Sequence, residues 1–411
     1  MPKNILYAQS GGPTAVINNS ACGVIEASRA LCPDKTMFAA KNGIIGVLND
    51  ELIDTGDESA EAIASLRYTP ASAFGSCRYK LKKMHEDDSE YRRLIEVFQK
   101  HDIHYFFYNG GGDSQDTAHK VSQLSEKMGY PMACIGIPKT IDNDLPITDN
   151  SPGFGSVAKY IAISTLEAAL DVKSMAASST KIFVFEVMGR HAGWIAAASG
   201  LIHQKAGDPP HLILFPEIAF DEKKFLSKVD ESVKKYGYCV IVASEGIRNA
   251  DGSFIQQSGL SDAFGHAQLG GIAPMLAENI KKNLGYKYHW AVADYLQRAA
   301  AHIASKTDAD QAYALGKKAV EFALQGDSNI MLTIVRESSS PYRWSIGKAP
   351  LEKVANVEAK MPRDFISQEG FGITEKCREY LLPLIQGEHY PPYHNGLPSY
   401  VSLKNKVAQE K

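Results

Sequence analysis

The chain has 411 residues, 44% hydrophobic and 22% charged, with a formal net charge of −3 at pH 7. This length exceeds what one hydrophobic core sustains, so two domains are expected. The near-neutral charge gives no electrostatic reason to expect nucleic acid or an anionic membrane as a partner. Cys22, Cys32, Cys77, Cys134, Cys239 and Cys377 show no C-x-x-C spacing, and several sit in apolar surroundings. They are expected as reduced, buried thiols of a cytoplasmic protein. Lys3 is followed by only a short apolar run, so no signal peptide is expected. The apolar region from Ile182 to Ile202 is broken by Glu186, Arg190 and His191, which argues against a membrane span.

In chain order, Asn4 to Ala8 reads as a strand running into Ser10-Gly11-Gly12-Pro13. A helical pattern marked by Val16, Asn19, Cys22, Gly23 and Glu26 follows to about Leu31. Strand, glycine pair and helix is the order in which backbone N–H groups face an anion, although a Gly-Gly pair is also an ordinary turn. Thr36 to Ala40 is a second strand and Asn42-Gly43 a turn. Gly75-Ser76-Cys77-Arg78 opens a polar, charged region that continues to Glu90. Arg78 has the planar fork that clamps phosphate, and it also fits a solvated surface. Tyr91 to Lys100 reads as a helix, with Leu94, Ile95, Val97 and Phe98 on its apolar face.

Ile103 to Tyr108 is an apolar, aromatic strand entering Asn109-Gly110-Gly111-Gly112-Asp113-Ser114. The helix after it carries Ala118, Val121, Leu124 and Met128. Such a loop can wrap phosphate and hold a hard divalent cation. It matches neither a P-loop nor the Rossmann fingerprint. The apolar run Met132 to Ile137 reads as a buried strand, so Pro138-Lys139-Thr140-Ile141-Asp142-Asn143-Asp144 begins at a strand's C-terminal end, where open α/β sheets bind ligands. Lys139 offers a point charge for phosphate, and Asp142 or Asp144 can orient a hydroxyl and accept its proton, as phosphoryl transfer requires. The same residues also fit an Asx-rich turn bonding its own backbone.

Gly153 to Asp171 reads as a helix and Lys181 to Val187 as a strand ending in Met188-Gly189-Arg190-His191-Ala192-Gly193-Trp194. His211 to Phe215 and Tyr238 to Ala243 are strands separated by the helix Phe225 to Tyr236, and the second ends at Ser244-Glu245-Gly246. Residues 247–300 give no clear pattern; Asp308 to Gln325 is helical and Ile330 to Val335 a late strand. The region from about Ser338 onward receives no role, and Pro341-Tyr342-Arg343 reads as a turn. The alternation predicts an α/β fold of two doubly wound, mostly parallel-sheet domains with the active site in the cleft between them.

These loops, in this order, resemble the phosphofructokinase family, and specifically its pyrophosphate-dependent branch, from about residue 3 to 336. The resemblance implies reversible, Mg2+-dependent transfer of phosphate from pyrophosphate to the C1 hydroxyl of fructose 6-phosphate, by a homo-oligomer that is a dimer or a tetramer. It implies Asp142 as the base supported by Asp144, with Lys139 and Arg190 beside them. Gly12, Arg78, Gly111, Gly112 and Asp113 would bind the donor phosphates, Asp113 also holding the metal. Thr140, Ile141, Lys181, Met188, Gly189, Arg190, Glu245, Tyr295 and Arg298 would bind the sugar phosphate. Residues 1–155 plus about 300–345 would form the donor domain, and 156–299 plus about 346–411 the sugar domain.

The chain departs from the family pattern at several of these positions. ATP-using members read Gly-Gly-Asp-Gly-Ser where Gly111-Gly112-Asp113-Ser114 stands, so Asp113 has two readings: a metal ligand, or a charge that excludes the α-phosphate of ATP. Those members have glycine where Lys139 stands. Lys181 and His289 replace arginines, the first of which reaches the sugar phosphate of a neighbouring subunit. Cys22 and Glu26 stand where allosteric bacterial members carry effector-binding arginines, so a non-allosteric enzyme is expected. ATP-dependent transfer and a non-catalytic, sugar-phosphate-binding regulatory paralogue are the alternatives.

Overall fold

The computed structural model describes residues 3–82, 87–256 and 269–408. Residues 83–86 of the polar region after Arg78, and 257–268 of the stretch without a clear pattern, lie outside these. The strands are β1 (Asn4–Gln9), β2 (Met37–Ala40), β3 (Leu52–Asp54), β4 (Ile103–Gly110), β5 (Ala133–Pro138), β6 (Ile182–Val187), β7 (Leu212–Leu214), β8 (Cys239–Ser244), β9 (Tyr288–Val292), β10 (Ile330–Ser339) and β11 (Tyr342–Pro350).

They form a seven-stranded sheet in the order β11-β10-β5-β4-β1-β2-β3 and a four-stranded sheet in the order β7-β8-β6-β9. The smaller sheet is parallel throughout, whereas in the larger one β3 and β11 pair antiparallel at the two edges. The central strands are apolar on both faces because helices cover both, as in β5, where every residue after Ala133 is buried. The helix Ser89–Lys100 shows how one such cover forms: Tyr91, Leu94, Ile95 and Phe98 recur at helical spacing and are sealed, while its charged residues face solvent.

Three expected features take a different form. The stretch 247–300 contains the helix Ile272–Leu284, the edge strand β9 and the helix Asp294–Ala299. Edge position explains the weak signal, since only one side of β9 is paired and its residues stay half-buried or exposed. Residues 346–411, expected with the sugar domain, are shared between the two bodies. Strand β11 runs on to Pro350 in the larger sheet, Met361, Phe365, Cys377 and Leu381 fill the core beside β6, and Val401 and Leu403 return to the core beneath β1. The Ser340-Pro341 turn joins β10 to β11 as a hairpin. All six cysteines are buried and unpaired, and no described helix is long and apolar enough to cross a membrane.

The helix Ile17–Leu31, which follows the first glycine loop, lies against the helix Lys306–Leu324 at backbone contact. A Cβ on Gly23 would fall 2.3 Å from the Tyr313 carbonyl oxygen, and one on Gly316 2.1 Å from that of Ser20. The second helix also carries Asp308, a buried carboxylate that accepts from the amides of Gly153 and Ser156, each at 2.9 Å, at the start of the helix Phe154–Met175. Gly153 in turn bridges to Thr140 of the Lys139–Asp144 loop. Gly316→Ala is therefore expected to cost about 1–3 kcal/mol through overpacking, read as a lower urea midpoint at unchanged slope. An unchanged midpoint would show that these helices can separate freely.

Candidate active site

Strand order dictates where the loops meet. Strand β1 connects to β2 on one side and β4 to β5 on the other, so the chain reverses direction across the sheet between β1 and β4. Loops leaving the C-terminal ends at such a point open a crevice. Here they are Ser10–Gly12 and Gly110–Asp113, held together by the Ser10 amide donating to the Asn109 carbonyl at 3.0 Å. Gly11 has φ +75°, a conformation that L side chains rarely adopt.

Three cations converge on this glycine pair. The buried Lys139 ammonium, carried on the end of β5, donates to the Gly12 carbonyl at 2.8 Å. A Cβ on Gly12 would lie 2.7 Å from Arg298 Nη1 and 3.7 Å from Arg78 Nη2. Glycine here leaves room for the Arg298 guanidinium to close over the loop. Burial, reinforced by Arg298 and Arg78, pulls the Lys139 pKa down to about 7. The Arg298 Nε is buried with no hydrogen-bond partner, so it can serve an anion placed here.

The opposing wall is acidic. Asn143, with φ +55°, turns its side chain inward: its Oδ1 accepts from Ser151 N at 2.9 Å and its Nδ2 donates to the Tyr380 hydroxyl at 2.8 Å. The Thr140 hydroxyl accepts from the Asp142 amide at 3.1 Å, and the Asp144 carboxyl is hydrogen-bonded to its own backbone amide and to Thr140. Burial raises both carboxyls. For Asp142 the rise is opposed first by Arg190 and then by Lys139; Asp144 is pushed up to about 7, with Asp142 itself as the second cause. Glu245, at the end of β8, is pushed up to about 7 by burial and then by Asp142.

Loops from the smaller sheet complete the cleft. The Glu245 carboxylate accepts from the Gly189 amide at 3.4 Å, and the buried Gln297 accepts from Met188 N at 3.3 Å. A cavity of about 210 Å³ lined by Met188, Glu245, Gly270, Gly271 and Asp294 opens beside them. The pattern is a cationic donor side and a titratable acidic side, with a polar pocket adjacent. Phosphoryl transfer needs these parts: charge stabilisation for a group in transit and a base for an attacking hydroxyl.

The phosphofructokinase family model matches residues 4–323. The chain belongs to the phosphofructokinase family. It is 66% identical over 410 residues to the pyrophosphate–fructose 6-phosphate 1-phosphotransferase of Halomonas elongata, covering 99% of this chain and 98% of that one. To the enzyme of the same name from Methylococcus capsulatus it is 65% identical over 411 residues, 100% of this chain and 98% of the relative. The solved structure of a pyrophosphate-dependent phosphofructokinase from Nitrosospira multiformis is 61% identical and superposes with a TM-score of 0.93, covering 100% of this chain and 99% of that chain.

Within this phosphofructokinase cleft the structure brings together Gly12, Arg78, Lys139, Asp142, Asp144, Arg190, Glu245 and Arg298, with Gly111, Gly112, Thr140, Ile141, Met188 and Gly189 in the same loops. Arg298 lies over Gly12, its guanidinium 4.0 Å above the ring of Tyr295, which is itself 62% exposed. Asp113, in the first helical turn after Gly111, points to Lys80 at 3.1 Å. Lys181 lies elsewhere. It precedes β6, roughly 20 Å of strand away from Met188 at about 3.3 Å per residue, and its ammonium donates to the Ala176 carbonyl at 2.6 Å. His289 is exposed one strand over, paired with Phe183. Glu26, at the expected effector position, accepts from the Tyr313 hydroxyl at 2.6 Å.

Sequence reasoning gave no role to Gln297, His191, Tyr380 or Glu358. Glu186, also without a role there, carried a visible signal, a charge within an apolar strand. Its carboxylate accepts from the amides of Gly271 at 3.2 Å and Ala273 at 2.8 Å, which starts the helix Ile272–Leu284.

An oxyanion seated among Lys139, Arg78 and Arg298 would restore the charged form of a lysine that burial has largely neutralised above pH 7. Inorganic phosphate binding at pH 8 is therefore expected to take up most of one proton, and Lys139→Met to abolish that uptake. Calorimetry in two buffers of different ionisation enthalpy reads it directly; phosphate binding without proton uptake would place Lys139 outside the anion site.

Proposed function

We propose that the chain is a pyrophosphate-dependent 6-phosphofructokinase, transferring phosphate reversibly from pyrophosphate to the C1 hydroxyl of fructose 6-phosphate and yielding fructose 1,6-bisphosphate and phosphate. The observation that carries this reading is the set of three cations over Gly11 and Gly12, directly across from Asp142 and Asp144. Pyrophosphate lacks the adenosine that anchors ATP, so its leaving phosphate depends on protein charge, and Lys139 stands at the donor loop to supply it. In this reading Asp142 takes the C1 hydroxyl proton, Asp144 supports it, and Thr140, Ile141, Met188, Gly189, Arg190 and Glu245 seat the sugar.

Gly12, Arg78, Gly111 and Gly112 would cradle the donor, with Asp113 as the carboxylate for Mg2+ or as the charge that turns ATP away. The described residues contain no cluster of three or more His, Cys, Asp or Glu side chains suited to a metal. Mg2+ is commonly bound by one or two carboxylates together with substrate phosphates and water, so a single Asp113 fits it. Bound there, Mg2+ would neutralise phosphate charge.

Lys181 and His289 lie too far from their own cleft to serve it, which supports a homo-oligomer, dimer or tetramer, in which they face a neighbouring copy. The exposed apolar side chains of Leu166, Leu170 and Trp290, in the helix Phe154–Met175 and in β9, suit such an interface. The reading places the enzyme in the cytoplasm, without nucleic acid or membrane partners.

Asp142→Asn keeps the loop's shape but accepts no proton, so kcat is expected to fall by about 10²–10⁴-fold with little change in sugar affinity. Near-normal turnover would remove Asp142 from the mechanism. Wild-type kcat/KM is expected to favour pyrophosphate strongly over ATP. Replacing Lys139 and Asp113 by glycine should lower pyrophosphate use by roughly 10²–10³-fold. A wild type that prefers ATP would refute the donor assignment, and a double variant with full pyrophosphate activity would refute only these two residues' roles. Cys22 is sealed and Glu26 is anionic, so hyperbolic sugar kinetics unresponsive to ADP or phosphoenolpyruvate are expected; sigmoidal curves that either compound shifts would contradict this.

A further inference from the structure

Beyond the family-matched residues 4–323, one short segment reaches three of the elements around the cleft. It leaves the larger sheet's core at Leu351 and Val354 and enters the smaller sheet's core at Met361 and Phe365, so it crosses from one body to the other. Between these anchors Asn356, turned by φ +58°, donates from Nδ2 to Asp116 Oδ1 at 2.9 Å, on the helix that follows the Gly110–Asp113 loop. Glu358 Oε2 lies 2.7 Å from His191 Nδ1, next to Arg190 on the sugar loop. The amide of Ala359 donates to the Asp144 carbonyl at 2.6 Å.

Consecutive residues thus hold the Asp142–Asp144 loop of one sheet and the Met188–Trp194 loop of the other. These two loops must meet around one substrate. We propose that residues 356–361 form a strap that fixes the separation of the active-site loops, and that Glu358 is a positioning residue acting on the sugar loop through His191.

Stability is not the reason for the Glu358–His191 pair. Its side chains are 49% and 31% exposed, and exposed pairs contribute little to folding. Its value is geometric, because the adjacent Ala359 bond fixes one end of the strap and His191, stacked on Phe254 with ring centres 6.1 Å apart, receives the other. The pair also faces the reacting carboxylates. Asp142 is surrounded by Arg190, Lys139, His191 and Glu358, and Asp144 by Asp142 and Glu358, with the negative charge of Glu358 opposing ionisation of both. Removing that charge while keeping the shape eases ionisation of the carboxylates, so the sign of the shift is toward lower pH.

The proposal rests on the reading of the cleft as a fructose 6-phosphate site. The test measures fructose 6-phosphate affinity by calorimetry, and the pH dependence of kcat, in wild type, E358Q, E358D, H191Q and the E358Q/H191Q double variant. For E358Q, affinity is expected to fall about 3–30-fold, the range in which a residue without ligand contact modulates a site. The acid limb of kcat is expected to move about half a pH unit lower, the effect of one unit charge removed from a partly screened site. E358D keeps the charge and is expected to leave the acid limb in place. The double variant should bind no more weakly than H191Q, since the two side chains act as a pair. Fully additive losses, or wild-type affinity and an unshifted limb in E358Q, would overturn the strap's role alone. A wild type that fails to bind fructose 6-phosphate would overturn the proposed function and the strap with it.

Discussion

Burial of like charges beside one another is the constraint on which this cleft is built. Lys139, Arg78 and Arg298 are drawn together over Gly11 and Gly12, and the cost is visible in the lysine, whose pKa burial and its two neighbours lower to about 7. Across the cleft burial does the opposite to Asp142, Asp144 and Glu245, raising each. Lys139 on one wall and Asp144 and Glu245 on the other are each brought to about 7. In the proposed reaction an arriving phosphate would relieve the repulsion on one side and a substrate hydroxyl would meet a base on the other, so ligand binding would supply what folding left unfavourable.

Such a site survives only on a stiff scaffold. The parallel strands β1, β4, β5, β6 and β8 bring the loops that follow them to their C-terminal ends, and the reversal between β1 and β4 opens a crevice there. Backbone contact between the helices Ile17–Leu31 and Lys306–Leu324, possible because Gly23 and Gly316 lack side chains, places Asp308 where it pins Gly153 and, through it, Thr140. Asn143 is fixed from the other direction by Tyr380, whose hydroxyl also donates to the Asp149 carbonyl at 2.6 Å and whose ring packs against Trp194. The residue between the two carboxylates is thus tied on two sides.

The C-terminal segment changes how the molecule is partitioned. A division into donor and sugar halves suits the loops, yet residues beyond Pro350 alternate between the two cores and carry contacts to both sets of loops. Inter-body geometry is then set by covalently continuous chain as well as by packing. This accounts for the place of Glu358 beside carboxylates that belong to a different sheet from its partner His191.

Local order decides what the sequence alone can tell. Apolar runs of strand length, each followed by glycines or by a charged cluster, located β1, β4, β5, β6 and β8 and the loops at their ends, because strand, turn and helix periodicities are written in adjacent residues. Lys139, Asp142 and Asp144 within one loop admitted phosphoryl transfer without deciding it, and the ordered set of loops along the chain, through the family resemblance, pointed to the chemistry. Edge strand β9 escaped notice since its residues lack a buried pattern, Tyr380 sits in a helix of only seven residues, and Glu358 lies outside any helix or strand. Tertiary structure alone brought Arg298 and Arg78 to Gly12, left Lys181 at the far end of β6, turned Asp113 toward Lys80 and laid the strap across the cleft. The order of strands in a sheet and the path of a crossover are set by how whole helices and sheets bury their apolar faces, and no short stretch of sequence encodes them.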